Sequence, residues 1–203
     1  DISNSTFLGY QAGYAISDSG NTVAGRQALS VATSVTNNTV IGHWAMKDVS
    51  SGEAIADCVS IGYQALKGSA STTTGIDGTV AIGASALAAL TTGTGNIAIG
   101  YQAGIALIGG GSNVGIGYEA LDGTDDGNNN TAVGRGSLSA NCGDTNTAVG
   151  KNALTLCTAA TNTALGAFAG DSIVTGGNNT CIGYLTDISA RSEERRVGKE
   201  CRS

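Results

Sequence analysis

The sequence is poor in large side chains. Nine of its 203 residues are aromatic, one is a histidine and 32 are glycine. An interior of Gly, Ala, Thr and Asn is thin, filled by small groups and closed by frequent tight turns, which excludes the thick two-layer core that the chain length would otherwise allow. No 18-residue apolar run occurs, so no membrane-spanning helix is expected. Basic residues are also scarce. Only five precede Arg191, and the body before that residue carries a net charge of −8, leaving no electrostatic footprint for nucleic acid or anionic membrane.

The chemistry-bearing motifs are missing too. H-E-x-x-H, G-x-S-x-G and the phosphate-cradling G-x-x-x-x-G-K-S/T are all absent. His43 sits beside Trp44 at a position that other parts of the chain fill with Tyr, Arg, Lys or Ala, which fits an exposed surface position better than an active site. Asp125 and Asp126 lie in the stretch DGTDDGNNN, a polar loop without the nonapeptide calcium pattern. The body cysteines Cys58, Cys142, Cys157 and Cys181 have no metal-ligand spacing. Neither an enzyme nor a metal or other cofactor is expected.

What the sequence has instead is a repeat. A nine-residue motif recurs eleven times, from STFLGYQAG through NIAIGYQAG and NTAVGKNAL to NTCIGYLTD. Its central glycines are Gly9, Gly25, Gly42, Gly62, Gly83, Gly100, Gly117, Gly134, Gly150, Gly166 and Gly183, separated by 16, 17, 20, 21, 17, 17, 17, 16, 16 and 17 residues. Below, positions are counted from this glycine. Position −3 is β-branched in every copy, from Thr6 and Thr22 to Thr163 and Thr180, and position −1 is Ile, Val or Leu in all copies but one, Ala24. That alternation predicts a short strand with one apolar face. Placing −1 and −3 inward makes Ile61, Ile82, Ile99 and Ile116 the most buried residues.

The glycine itself predicts a corner needing positive φ or close backbone approach. Ala at +3 in nine copies, replaced by Ser137 and Thr186, predicts a second short strand across a narrow interior. Asn at −4 recurs in eight copies, including Asn21, Asn96, Asn130 and Asn179. Asn tolerates the left-handed region and can form a hydrogen-bonded ladder when one corner recurs in successive coils.

A unit of about 17 residues with a two-residue period is too short for a helix pair or a propeller blade and fits one coil of a parallel β-solenoid. Residues 1–190 therefore read as a single all-β solenoid domain of about eleven coils of 16–21 residues, open at both ends. At about 4.8 Å per coil it would be a rod about 50 Å long. The longer spacings after Gly42 and Gly62 read as loop insertions that leave the stack intact. Cys142 and Cys157 are nearly one coil apart, so two states are open: a disulfide between adjacent coils, or two reduced thiols, which is favoured.

The residue after each glycine forms a rank of Tyr10, Arg26, His43, Tyr63, Ala84, Tyr101, Tyr118, Arg135, Lys151, Ala167 and Tyr184. With coils in register this is one aromatic and basic stripe. Tyr10, His43, Trp44, Tyr63, Tyr101, Tyr118 and Tyr184 are the candidate ligand-binding residues, able either to stack on glycans or to fill a subunit seam.

The composite unit NTAIGYQAL, formed from the commonest residues of these copies, resembles the repeats of trimeric autotransporter adhesin heads and related repeats of phage tail fibres and bacterial surface fibres. The resemblance extends from about Ser5 to Tyr184, although adhesin heads use a shorter coil. It implies a left-handed parallel β-roll, three chains around a threefold axis, and an extracellular place on a cell surface or virion. A cell-surface glycan or protein receptor is the implied partner, with no nucleic acid and no membrane insertion by this segment. The expected role is a structural or adhesive fibre segment contributing to host attachment.

Ice binding is the first alternative, because regular Thr ranks on a flat solenoid face can match a lattice. Outward-pointing Thr22, Thr39, Thr131, Thr147, Thr163 and Thr180 would favour it, and alternation with the aliphatic rank predicts them inward. A polysaccharide-active β-helix enzyme is the second alternative. It would need clustered carboxylates in a groove, a pattern not found here.

The final stretch, RSEERRVGKECRS from Arg191 to Ser203, holds five basic residues in thirteen and lacks the repeat pattern. It resembles the conceptual translation of a sequencing-library adapter, so the chain reads as an internal fragment of environmental origin with an artefactual tail. Cys201 and this basic cluster are set aside from functional reasoning.

Overall fold

In a computed structural model the chain is described over residues 3–49, 54–68 and 73–187. The tail from Arg191 lies outside these residues. Among the described residues every regular element is a β-strand: β1 (Thr6–Leu8), β2 (Thr22–Ala24), β3 (Val35–Thr36), β4 (Thr39–Ile41), β5 (Ile55–Ala56), β6 (Val59–Ile61), β7 (Val80–Ile82), β8 (Ile97–Ile99), β9 (Val114–Ile116), β10 (Thr131–Val133), β11 (Thr147–Val149), β12 (Thr163–Leu165) and β13 (Thr180–Ile182). Eleven of them, all but β3 and β5, form one parallel sheet in chain order, and β3 pairs with β5 in a second, two-stranded sheet. One strand per repeat, each paired in parallel with the strand of the next repeat, is a β-solenoid.

The register is set by the repeat glycine. In β8 and β9, Ile97 pairs with Val114 and Ile99 with Ile116, and the same rank-to-rank pairing holds along the whole sheet. The two long repeats do not disturb it: Thr39 pairs with Val59 and Val59 with Val80. The extra residues after Gly42 and Gly62 therefore leave the ladder unbroken, as expected.

Both reasons for a glycine at the corner hold together. The repeat glycines have φ between +122° and +141°, a region closed to residues with a Cβ. They also stand in a column: a Cβ on Gly100 would lie 2.3 Å from the carbonyl oxygen of Gly117, and one on Gly42 would lie 2.4 Å from that of Gly62. Neither backbone atom could move without separating two coils.

The strand faces are the reverse of those expected. The inward position is −2, not −1 and −3. Val23, Val40, Ser60, Ala81, Ala98, Ala132, Ala148, Ala164 and Cys181 are all buried there. By contrast, Ile61 and Ile82 are half-buried, and Ile99 and Ile116 are 37% exposed. The physical cause lies in the segment after the glycine, which is not a second strand. Positions +2 and +4 adopt left-handed φ values in almost every coil, as in Gln64 (φ 55°) and Leu66 (φ 46°), so the chain runs in consecutive turns closed by bonds such as Ala65 N–H to the Gly62 carbonyl. Those turns carry the Ala at +3 and a Leu or Met at +4 into the interior, and Leu29, Met46, Leu66, Leu87, Leu121, Leu138 and Leu154 are essentially fully buried. The large core residues thus come from the turn, and the strand opposite can offer only small ones. At Gly115 the ideal Cβ position is already 3.4 Å from the Leu121 Cβ.

The expected asparagine ladder is present, with the left-handed φ one residue earlier, at −5, as in Asn37 and Asn129. Each Asn is buried. Asn113 donates from its side chain to Asn96 Oδ1 (3.2 Å) and to the Gly127 carbonyl (2.8 Å), and its own Oδ1 accepts from the Asn130 backbone N–H at 2.8 Å. The pattern continues from Asn130 through Asn146 and Asn162 to Asn179. It is interrupted where Cys58 and Thr79 occupy the rank, and there the buried Thr79 hydroxyl has no partner.

A buried polar group left unsatisfied costs about 1–3 kcal/mol. Asn113→Ala would orphan both the Gly127 carbonyl and the Asn130 N–H, so it should destabilise the fold by about 3 kcal/mol or more in urea denaturation. A loss below about 1 kcal/mol would show that the ladder contributes little to stability.

Candidate functional site

The stripe at +1 runs along the edge of the main sheet, directly after the glycine column. Tyr10, Tyr63, Tyr101, Tyr118 and Tyr184 are exposed, and His43 and Trp44 are half-buried. The structure brings these residues together in three groups, the first parted from the second where Ala84 occupies the rank and the second from the third between Arg135 and Lys151, while Tyr10 stands apart at the first coil.

The first group surrounds Trp44. Its indole N–H donates to Gln27 Oε1 at 2.9 Å, and Gln27 in turn donates to Gln11 Oε1 at 2.9 Å. His43 and Tyr63 lie against the indole with ring centroids 4.5 Å and 6.0 Å away, and the Lys47 ammonium sits 5.1 Å above it. Arg26 reaches His43 Nε2 at 3.4 Å. In the second group Tyr101 and Tyr118 are stacked, 5.3 Å apart and 18° from parallel, with the Arg135 guanidinium 5.5 Å from the Tyr118 centroid. In the third, Lys151 lies over Phe168 at 5.1 Å and Tyr184 meets Phe168 edge-on. Phe168, at +2, was not singled out from the sequence, because only the stacked coils bring it against Lys151.

The geometry changes what the stripe can do. Tyr101 and Tyr118 each turn one face toward the other, and the Arg135 guanidinium lies over the Tyr118 ring, so Tyr118 is taken up by its neighbours. Flat stacking of a sugar on Tyr118 would require this stack to open. Ring–ring and cation–ring contacts of this kind contribute about 0.5–1.5 kcal/mol each, enough to tie neighbouring coils together.

The larger exposed surface is the outer face of the sheet. Its two outward ranks are −3 and −1. Thr22 and Thr163 are exposed and Thr39, Thr131, Thr147 and Thr180 half-buried, so the threonines point away from the interior, contrary to the inward placement expected. Beside them stand Leu8, Ile41, Ile99, Ile116, Leu165 and Ile182, all more than a third exposed, with Leu8 at 72%. Position −2 is buried between these two ranks in every coil but the first, where Phe7 is exposed, and no charged side chain lies on this face from Thr6 to Ile182.

The polar loop at Asp125 and Asp126 is a set of local bonds. Asp125 accepts from the Asp126 N–H at 2.8 Å, and Asp144 accepts from the Asn128 N–H at 2.8 Å. The four described cysteines are all buried and unpaired, so the reduced state is the one found for Cys142 and Cys157. Cys142 lies 2.9 Å from the Thr124 hydroxyl, and Cys157 accepts from Asn162 Nδ2 at 3.2 Å. Loss of solvation raises all four thiols, Cys58 to about 11. The chain matches no protein-family model, no curated protein and no solved structure.

A thiol raised by burial holds little thiolate at pH 8, and reagent must also reach it. Native protein should therefore react with Ellman's reagent at Cys58, Cys142, Cys157 and Cys181 only as fast as the coils open, and all four should react at once in 6 M guanidinium (about this concentration unfolds ordinary domains). Rapid labelling of Cys142 in the native state would contradict the buried placement.

Proposed function

We propose that the protein is a structural and adhesive fibre segment of a bacterial surface adhesin or phage tail fibre. It acts outside the cell or on a virion, as a homotrimer, and carries host-attachment elements away from the surface. The observation that supports this most is the outer sheet face. Eleven strands present aliphatic residues at −1 and threonine, valine or isoleucine at −3 with no charge among them. The band is about 10 Å wide and about 50 Å long, roughly 500 Å², within the range of about 300–600 Å² of a typical protein's largest surface patch, which is often functional. Other copies of the same chain, bearing the same straight rank, match it in length and period.

This assigns the seam to the sheet face and leaves the aromatic rank at its margin. Adhesion, where it occurs on this segment, is then shallow and repeated along the rod, and gains strength from several chains engaging together.

Ice binding is the second reading, and the outward threonines favour it. Two features weigh against it. The −1 rank carries no hydroxyl, and the −3 rank is Val59, Val80, Ile97 and Val114 through the middle of the rod. A hydroxyl lattice is broken there, while the apolar band is continuous.

Native mass separates these readings. The chain should sediment as a trimer, and Ile99→Asp with Ile116→Asp should give a monomer that keeps its β circular dichroism. Ala98→Asp, which buries a charge in the dry interior, should unfold the chain. A wild-type monomer with thermal hysteresis in freezing assays would replace the fibre by ice binding.

A further inference from the structure

The triplet Asn-x-Ser/Thr, the acceptor pattern for N-linked sugar when x is not Pro, occurs at Asn4-Ser5-Thr6, Asn37-Asn38-Thr39, Asn129-Asn130-Thr131 and Asn178-Asn179-Thr180, and no other asparagine of the chain heads one. The coil puts all four acceptors at a single corner. Each stands at −5, is exposed, and has a left-handed φ of 56°, 56°, 57° and 60° in chain order. The corner does not itself demand asparagine. Gly78, Gly95, Ser112, Thr145 and Thr161 hold the same position with positive φ in other coils.

Hydrogen bonding separates these asparagines from the buried ladder beside them. At −4 the side-chain nitrogen is used by the fold: Asn38, Asn96, Asn113 and Asn146 each donate from Nδ2 to a carbonyl of the next coil at 2.8–3.1 Å. At −5 it is not. The Nδ2 atoms of Asn4, Asn37, Asn129 and Asn178 make no hydrogen bond among the described residues, and Asn178 is engaged only through its oxygen, which accepts from the Thr161 hydroxyl at 2.9 Å. The hydroxyl that completes each triplet belongs to Thr6, Thr39, Thr131 or Thr180, in the outward −3 rank, and is equally unused among the described residues.

We propose that Asn4, Asn37, Asn129 and Asn178 are acceptor sites for N-linked sugar, presented in one row along the rod. In the transfer, Nδ2 forms a bond to the anomeric carbon of a nucleotide-diphosphate sugar as the bond from that carbon to the diphosphate oxygen breaks. The diphosphate leaves with the bonding pair, and the amide gives up one proton to a base of the transferase. Because Nδ2 has no partner in the protein, the new bond removes no hydrogen bond from the fold. The acceptors lie at the levels of β1, β4, β10 and β13, the first, third, eighth and eleventh strands of the sheet, so no two occupy adjacent coils. The strand separates this row at −5 from the aromatic rank at +1. Sugar here therefore leaves that rank uncovered and gives the apolar face one hydrated margin. The setting rests on the cell-surface reading proposed above, while the acceptor chemistry rests on the corner alone.

The test treats the folded full chain with a soluble N-glycosyltransferase that reads Asn-x-Ser/Thr, using UDP-glucose as donor, and follows intact mass and peptide maps. The wild type should gain up to four hexoses, confined to Asn4, Asn37, Asn129 and Asn178, with its thermal unfolding unchanged. Asn129→Gly keeps the positive φ that glycine already supplies in other coils and should lose one hexose. Thr131→Val, which places at −3 the residue found there as Val114, should leave Asn129 in place but unmodified. Circular dichroism checks that both variants keep the β fold. Modification only after the chain is unfolded, sugar on ladder asparagines of the folded chain, or melting of the coil on modification would overturn the proposal, as would continued modification of Asn129 in Thr131→Val. Oligomer mass is not the readout, so a wild-type monomer would overturn the fibre reading without touching this one, and an unmodified trimer would do the reverse.

Discussion

The structure depends on one constraint: the repeat glycines must stack with nothing between them. At each corner the backbone N–H bonds to the coil before, as Gly100 does to the Ile82 carbonyl at 2.8 Å, and the space a Cβ would fill is taken by the carbonyl of the next glycine. Substitution at any glycine of this column from Gly9 to Gly166 would force two coils apart. Because the corner admits only one residue type in one conformation, successive coils have a single way to align. The inserted residues after Gly42 and Gly62 must therefore be accommodated away from the strands, and every other position falls into a rank.

Those ranks explain how a chain with so few large side chains holds a dry interior. The turn after the glycine spends left-handed conformations on residues such as Leu66 and Leu87, which is unfavourable for a side chain with a Cβ. It is offset by interior burial of that Leu and by bonds to the neighbouring coil, as from Leu66 N–H to the Ala86 carbonyl at 2.8 Å. The Asn rank closes the remaining corner by satisfying buried backbone groups that no sheet bond reaches. With the interior so occupied, the strand turns its larger residues out. The apolar outer face is a consequence of the thin core, and it gives the rod a surface suited to association.

The aromatic rank belongs to this same logic. Coils about 4.8 Å apart bring like residues at one position into contact, so Tyr101 and Tyr118 stack on each other and Arg135 closes the end of the pair. A side chain that looks available to a ligand when read in one repeat has its neighbour as first partner when the repeats are stacked.

The period, the parallel solenoid, the glycine column, the asparagine ladder and the unbroken register were legible in the sequence, because each rests on a residue type that recurs at one spacing and has one steric or hydrogen-bonding reason to be there. Which face of the strand is inside was not. Alternation of Thr and Ile around a small residue is compatible with either orientation, and the usual preference for burying the larger side chain points the wrong way. The tertiary structure decided it through the Leu at +4: once the turn delivers that side chain into a narrow interior, only Ala, Ser, Gly, Val or Cys fits opposite, and Ile99 must face out. The same reason governs the candidate site. The sequence by itself determined that a tyrosine and basic stripe exists, while the stacking of coils decided that its rings and cations contact one another.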